Sequence, residues 1–148
     1  MPIKVRRAEF SDMEAVARLH RRVRNISLPY LPDLHTPEED LAFFEEKVFP
    51  NSTMWLAEEG YELIGFAAAS RDQLDHLYVD PAWHGQGVGS ALLFVIKKGR
   101  RQLDLWTFQD NLQARQFYER RGFKPVETTD GSGNPERLPD VRYRWTGD

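Results

Sequence analysis

In the stretch VDPAWHGQGVGSALL, Val79 to Leu93, glycines fall at every second position: Gly85, Gly87 and Gly89. A β-branched run precedes them and an apolar helical pattern follows, so they occupy a strand-to-helix junction. Glycine is the costliest residue to order, and a cluster of it marks a backbone that turns tightly or lets something come close. A helix starting near Gly87 points unpartnered amide N–H groups, with about half an elementary positive charge, at one spot. That is a place for a phosphate or pyrophosphate, and a side chain at any of the three positions would hold the anion off the amides. Close helix-to-strand packing is the bland alternative, and it suits a lone pair of glycines better than three in alternation. A P-loop does not fit, because Gly89-Ser90 has no lysine before Lys97. A dinucleotide fingerprint fits poorly, because the spacing is G-x-G-x-G and the turn lies past mid-chain.

The elements that must position this turn can be read from patterning. IKVRRA alternates as a first strand, and Ser11, Asp12 and Glu14 open a helix through Arg24 with Met13, Val16, Leu19 and Val23 as its buried stripe. Pro29, Pro32 and Pro37 make Leu28 to Pro37 a loop, with Thr36 capping a second helix that carries Leu41, Phe44 and Val48 and stops at Pro50. TMWLAEEGYELIGFAAAS predicts two strands around a turn at Glu59-Gly60, and QLDHLYVDP a third closed by Pro81. Val88, Leu92 and Val95 define the helix that begins in the glycines. After the strand LDLWTFQ, a helix runs from about Asn111 to Arg121 and ends at Gly122; FKPVET and VRYRW are the last strands. The order β-α-α-β-β-β-α-β-α-β-β predicts a mixed α/β (α+β) sheet with helices on both faces. VRYRW would suit either an edge strand protected by its arginines or a dimer contact.

Composition narrows the rest. The 148 residues predict a single domain over 1–148, and 41% hydrophobic with 29% charged residues is ordinary for a globular protein. Lys+Arg 20 against Asp+Glu 23 gives a net charge of −3, which offers no basic footprint for nucleic acid. The absence of cysteine removes disulfides, thiolate metal sites and a cysteine nucleophile. His20, His35, His76 and His84 lack metal-ligand spacing, so no metal is expected. No apolar run approaches the ~20 residues of a membrane span, and the first ten residues lack an apolar leader core, so a cytoplasmic protein without membrane partners is the expectation.

LYVDPAWHGQGVGSALL resembles the acyl-CoA-binding motif of the GNAT superfamily of N-acetyltransferases, Gln/Arg-x-x-Gly-x-Gly/Ala after a strand ending in Val-x-Pro. NLQARQFYERRGF is similar to that family's following motif, an Asn opening a helix with Phe-Tyr before Gly-Phe. His84 departs from the pattern, standing where the family usually has Gln or Arg.

The resemblance implies a GNAT-like, mostly antiparallel sheet of about seven strands flanked by about four helices, with a splayed strand pair holding the cofactor. It implies acetyl-CoA as cosubstrate, with amides from Gly85 through Gln86, Gly87, Val88 and Gly89 to Ser90 on its pyrophosphate and His84 beside them. Leu77, Tyr78 and Val79 would pair with the pantetheine arm as a neighbouring strand would, and an N–H near Leu77 or Tyr78 would polarise the thioester carbonyl. Asn111 would contact the same arm, although it serves equally well as a helix N-cap. Tyr118 would supply the leaving thiolate's proton; by helical position alone it is a core aromatic beside Ala114 and Phe117.

An alkylamine of pKa ~10.4 arrives protonated, so a base or a water chain must drain a proton. Strand alternation sets Gln73, Asp75, Leu77 and Val79 on one face and Leu74, His76 and Tyr78 on the other. The resemblance implies a base a few residues ahead of the final valine on the face of Val79, which favours Asp75; a bulge would favour His76 instead. Tyr30, Trp55, Phe66 and Trp106 are candidates for the acceptor wall, against the reading of aromatic core. The expected reaction is direct attack by a primary amine in a ternary complex, with a small-molecule amine first and a protein or peptide amine second. A non-catalytic acyl-CoA-binding module and a monomer or homodimer remain open.

Overall fold

The computed structural model describes residues 2–147. Seven strands form one sheet in the order β1-β2-β3-β4-β5-β7-β6: β1 Lys4–Arg7, β2 Thr53–Glu59, β3 Glu62–Ser70, β4 Gln73–Val79, β5 Gln102–Phe108, β6 Lys124–Thr129 and β7 Asp140–Thr146. All neighbours are antiparallel except β4 and β5, which run parallel. That pair touches only at Gln73↔Asp104 and Leu74↔Leu105 and then separates. The sheet therefore has a wedge-shaped opening in its middle, and everything chemical lies beside it.

Helices cover both faces. On one side α1 (Met13–Ser27) and α2 (Pro37–Phe43) lay Met13, Val16, Leu19, Val23 and Phe44 against Met54, Leu56, Phe66 and Ala68. On the other, α4 (Val88–Lys97) and α5 (Leu112–Glu119) bring Val88, Leu92, Ile96 and Tyr118 onto Ile64, Ala67, Leu103, Leu105 and Tyr143. Strand β3 is sandwiched between the two, which is why it reads as the nearly continuous apolar run Ile64 to Ala69.

Local signals place most boundaries. Thr36 Oγ1 accepts from the Glu39 amide at 3.1 Å while Glu39 reaches back to the Thr36 amide at 2.8 Å, a reciprocal cap. Gly60 turns the β2–β3 hairpin at φ +62, and Gly122 ends the α5 segment at φ +88. Other expectations need correction. Helix α1 runs past Arg24 to Ser27. Pro50 does not stop the second helical run: α2 continues through a π turn over Phe44–Val48 into α3 (Phe49–Asn51), which carries Pro50 and ends one residue beyond it. The strand containing VRYRW is not an edge. β7 lies between β5 and β6, its Arg142 and Arg144 pair with Asp104 of β5, and the edge falls to β6, whose Pro125 has no amide to offer a further strand.

Strand β4 also breaks its alternation. Ala68 pairs with His76 and Ala69 with Leu74, so Asp75 is an extra residue, a β-bulge. Leu74 consequently shares the α4 side with Leu77 and Val79, while His76 and Tyr78 keep to the α1 side.

Candidate active site

The glycine turn is held from beneath. Asp80, only 2% exposed, accepts from the Ala82 amide at 3.0 Å and from Arg22 at 2.9 Å, and its own amide reaches the Ile64 carbonyl at 2.8 Å. After the short turn Pro81–Trp83, His84 folds back: Gln113 Nε2 lies 3.0 Å from its Nδ1, and its Nε2 lies 3.1 Å from the Val79 carbonyl. The Gln113 amide donates to Nδ1, so the proton sits on Nε2 and is given to Val79. Both ring nitrogens are thus engaged in fixing the turn to α5.

The three glycines serve two purposes. Gly85 and Gly87 have φ +78 and +83, a left-handed backbone, and a Cβ on either would meet nothing within 4 Å. Gly89 is helical; its Cβ would meet the Phe117 ring at 3.0 Å, so it permits α4 and α5 to approach. The first intrahelical bond is Ala91 N–H to the Gly87 carbonyl, 3.0 Å, leaving the amides of Val88, Gly89 and Ser90 without helical partners.

A cation missed by sequence reading joins them. Arg121 donates to Ser90 Oγ from Nε at 3.0 Å and Nη2 at 2.7 Å, and lies 3.7 Å above the Phe117 ring. The paired arginines before Gly122 were its only trace in the sequence.

From this cradle a cavity of about 430 Å³ runs between the unpaired edge of β4 and α5. Leu77, Tyr78, Val79, His84, Gly85, Gly87, Val88, Gly89, Ser90, Asn111 and Tyr118 border it; Gln86, Asp75 and His76 do not. Asn111 Oδ1 caps α5 by accepting from the Ala114 amide at 3.2 Å. Tyr118 is 8% exposed, its ring packs edge-on to Phe123 at 5.4 Å, and its hydroxyl makes no hydrogen bond among the described residues. Burial raises its pKa, with Tyr78 adding to the effect, so the phenol keeps its proton at neutral pH. It is both the core aromatic its helical position suggests and a proton-bearing group facing the cavity.

A nucleotide diphosphate fits these features: open glycines, unpartnered amides, a nearby guanidinium, and a slot beside a strand edge that an extended arm can enter. The model of the Acetyltransferase (GNAT) family matches residues 20–123. The chain belongs to the GNAT family. The peptidyl-lysine N-acetyltransferase YjaB of Salmonella typhimurium is 27% identical over 147 residues, covering 97% of this chain and 99% of the relative. In fold, the apo form of YjaB from Escherichia coli superposes with a TM-score of 0.80 at 23% identity, over 100% of both chains. PaiA N-acetyltransferase from Thermoplasma acidophilum, solved in complex with coenzyme A, superposes at 0.79 and 23% identity, over 99% of this chain and 100% of that one. This GNAT protein is an acetyl-CoA-dependent N-acetyltransferase.

The residues expected to serve the acceptor are arranged differently. Asp75, on its bulge, is exposed and takes a 2.5 Å hydrogen bond from Ser70, at the end of β4 away from the opening. Desolvation raises its pKa while the Ser70 bonds pull it back. His76 instead joins His20, Phe43, Phe44, Phe66 and Tyr78 in an aromatic cluster, with His20 5.8 Å from His76 and 4.7 Å from Tyr78 between ring centroids. Nδ1 of both histidines is buried without a partner. Burial lowers His76 to about 4 and His20 to about 3, the latter helped by His76 and the arginines of α1.

The proposed acceptor wall divides. Phe66 is 0% exposed and belongs to the α1-side core. Trp55 lies under Arg7 at 5.6 Å on β2, two strands from the opening. Tyr30 is half exposed in the α1–α2 loop, its pKa raised by desolvation and by the charge of Asp110. Trp106 borders a second cavity of about 590 Å³ together with Phe108, Asn134, Glu136 and Asp140, between β5 and the β6–β7 connection. No helix among the described residues is long and apolar enough to cross a membrane.

Proposed function

We propose that this enzyme acetylates a primary amine by direct attack, with both substrates bound together and Tyr118 giving the proton to the departing thiolate. The observation that carries the reading is the wedge between β4 and β5, with Tyr118 at the wall opposite the unpaired edge of β4. Acetyl-CoA supplies the activated acyl group. The chain's own groups do the rest. Unpartnered amides from Gly87 to Ser90, with Arg121, hold the diphosphate end. The edge Leu77–Val79 and Asn111 align the arm, and a β4 amide at the opening polarises the carbonyl. Ser90 is no nucleophile, because its Oγ is bound by Arg121 rather than by a base.

Of the two base candidates, His76 is the better supported. It shares the α1 side of β4 with Tyr78, and its depressed pKa leaves a lone pair free at neutral pH. Low basicity makes it a relay rather than a final sink for the amine's proton. Small-molecule amines are the first acceptor class; the name of the YjaB relative favours peptidyl-lysine as the second reading.

Calorimetry with acetyl-CoA, followed by turnover over small amines and lysine peptides, tests this. Tyr118→Phe is expected to lower kcat by about 100-fold or more while acetyl-CoA affinity stays unchanged. Unchanged kcat removes Tyr118 from the chemistry.

A further inference from the structure

Several arginines of this protein are held closely by carboxylates. Arg21 meets Asp40 at 2.7 Å, Arg22 meets Asp80 at 2.9 Å and Arg144 meets Asp104 at 2.9 Å. Arg24, in the last turn of α1, is held less closely. Its Nη2 is buried and makes no hydrogen bond among the described residues, and Glu136 Oε2 of the β6–β7 connection stands 3.6 Å away. That is ion-pair distance but beyond the ~2.7–3.2 Å of a hydrogen bond. A guanidinium offers a planar fork of donors suited to a carboxylate in two-point contact, and leaving buried donors unmade is costly.

The location gives this defect meaning. Val23 and Ser27, flanking Arg24 on α1, border the first cavity, whereas Glu136 borders the second. The charges of both Arg24 and Glu136 act on the hydroxyl of Tyr78, whose ring borders the first cavity. The nearby histidines His20 and His76 are neutral at physiological pH. The ion pair therefore joins an α1 turn that borders the acyl-transfer cavity to a connection that borders the second cavity.

We propose that Arg24 is the anchor for a carboxylate on the acceptor, so that the substrate is an amino-acid-like molecule bearing its anion beside the amine. Glu136 occupies the anchor loosely in the free protein and yields it when the acceptor enters. A lysine side chain within a peptide has no such anion to offer. This rests on the amine-acetylating reading above and narrows its substrate class.

The test compares free amino acids with their carboxamides as acceptors, in wild type, Arg24→Gln, Arg24→Lys and Glu136→Gln. Wild type is expected to favour the acids through KM. Arg24→Gln should raise KM for the acids about 10- to 100-fold with kcat and the amides little changed, the worth of hydrogen bonds to a charged group. Arg24→Lys should recover only part of the loss, since charge returns without the fork. Glu136→Gln should lower KM for the acids, because a competing carboxylate is gone. A wild-type preference for amides or peptides, equal losses for acids and amides, or a raised KM in Glu136→Gln overturns the proposal; the wild-type comparison needs no variant to fold. Failure to acetylate any amine while acetyl-CoA still binds would instead sink the reading beneath it.

Discussion

The two sides of the β4–β5 opening are made from different materials. The cofactor side is backbone: left-handed glycines, helix-start amides and a strand edge, all drawn from the continuous segment Leu77 to Ser90 with α5 behind it. The proposed acceptor side is side chains from distant segments: His20 and Arg24 on α1, Phe44 beyond α2, His76 and Tyr78 on β4, Trp106 on β5 and Glu136 before β7. A backbone site tolerates little change in conformation and recognises what every acetyl-CoA molecule shares. A side-chain site can be altered one residue at a time, which suits it to substrate choice.

The sharpest way to probe this contrast is pH. His20 and His76 have folded-state pKa values near 3 and 4, below the ~6.5 of a free imidazole. The unfolded chain then binds more protons, so their contribution is complete above about pH 6.5, is lost as pH falls through that value, and stops changing near pH 4 and 3. At pH 5 each is expected to cost on the order of 2 kcal/mol relative to pH 7. Thermal melts at the two pH values should show His20→Phe losing less than wild type; an equal loss breaks the claim of buried neutral imidazoles.

On the cofactor side, Gly87→Ala forces an L-residue to φ +83 at about 1–2 kcal/mol. Acetyl-CoA affinity should fall roughly 5- to 30-fold, and the effect should be the same for every acceptor. Acceptor-dependent losses would erase the division between the sides. The smallest expected effect is at Asp75: because it is exposed and bound to Ser70, Asp75→Asn should change kcat/KM by less than about twofold. A large drop in kcat there would move the base to the bulge and displace His76.

The sequence by itself determined what depends on neighbours along the chain: the strand-to-helix glycines, the Thr36 and Asn111 caps, the hairpin at Gly60 and the α5 stop at Gly122. Each is a backbone requirement that one residue type meets locally. Only the tertiary structure decided that Asp75 bulges and so parts Leu74 from His76 and Tyr78, that β7 enters between β5 and β6, that Arg121 reaches Ser90, and that Arg24 faces Glu136. Those outcomes follow from strand register and helix docking, where alternatives differ by the packing of whole faces rather than by the preference of any single residue.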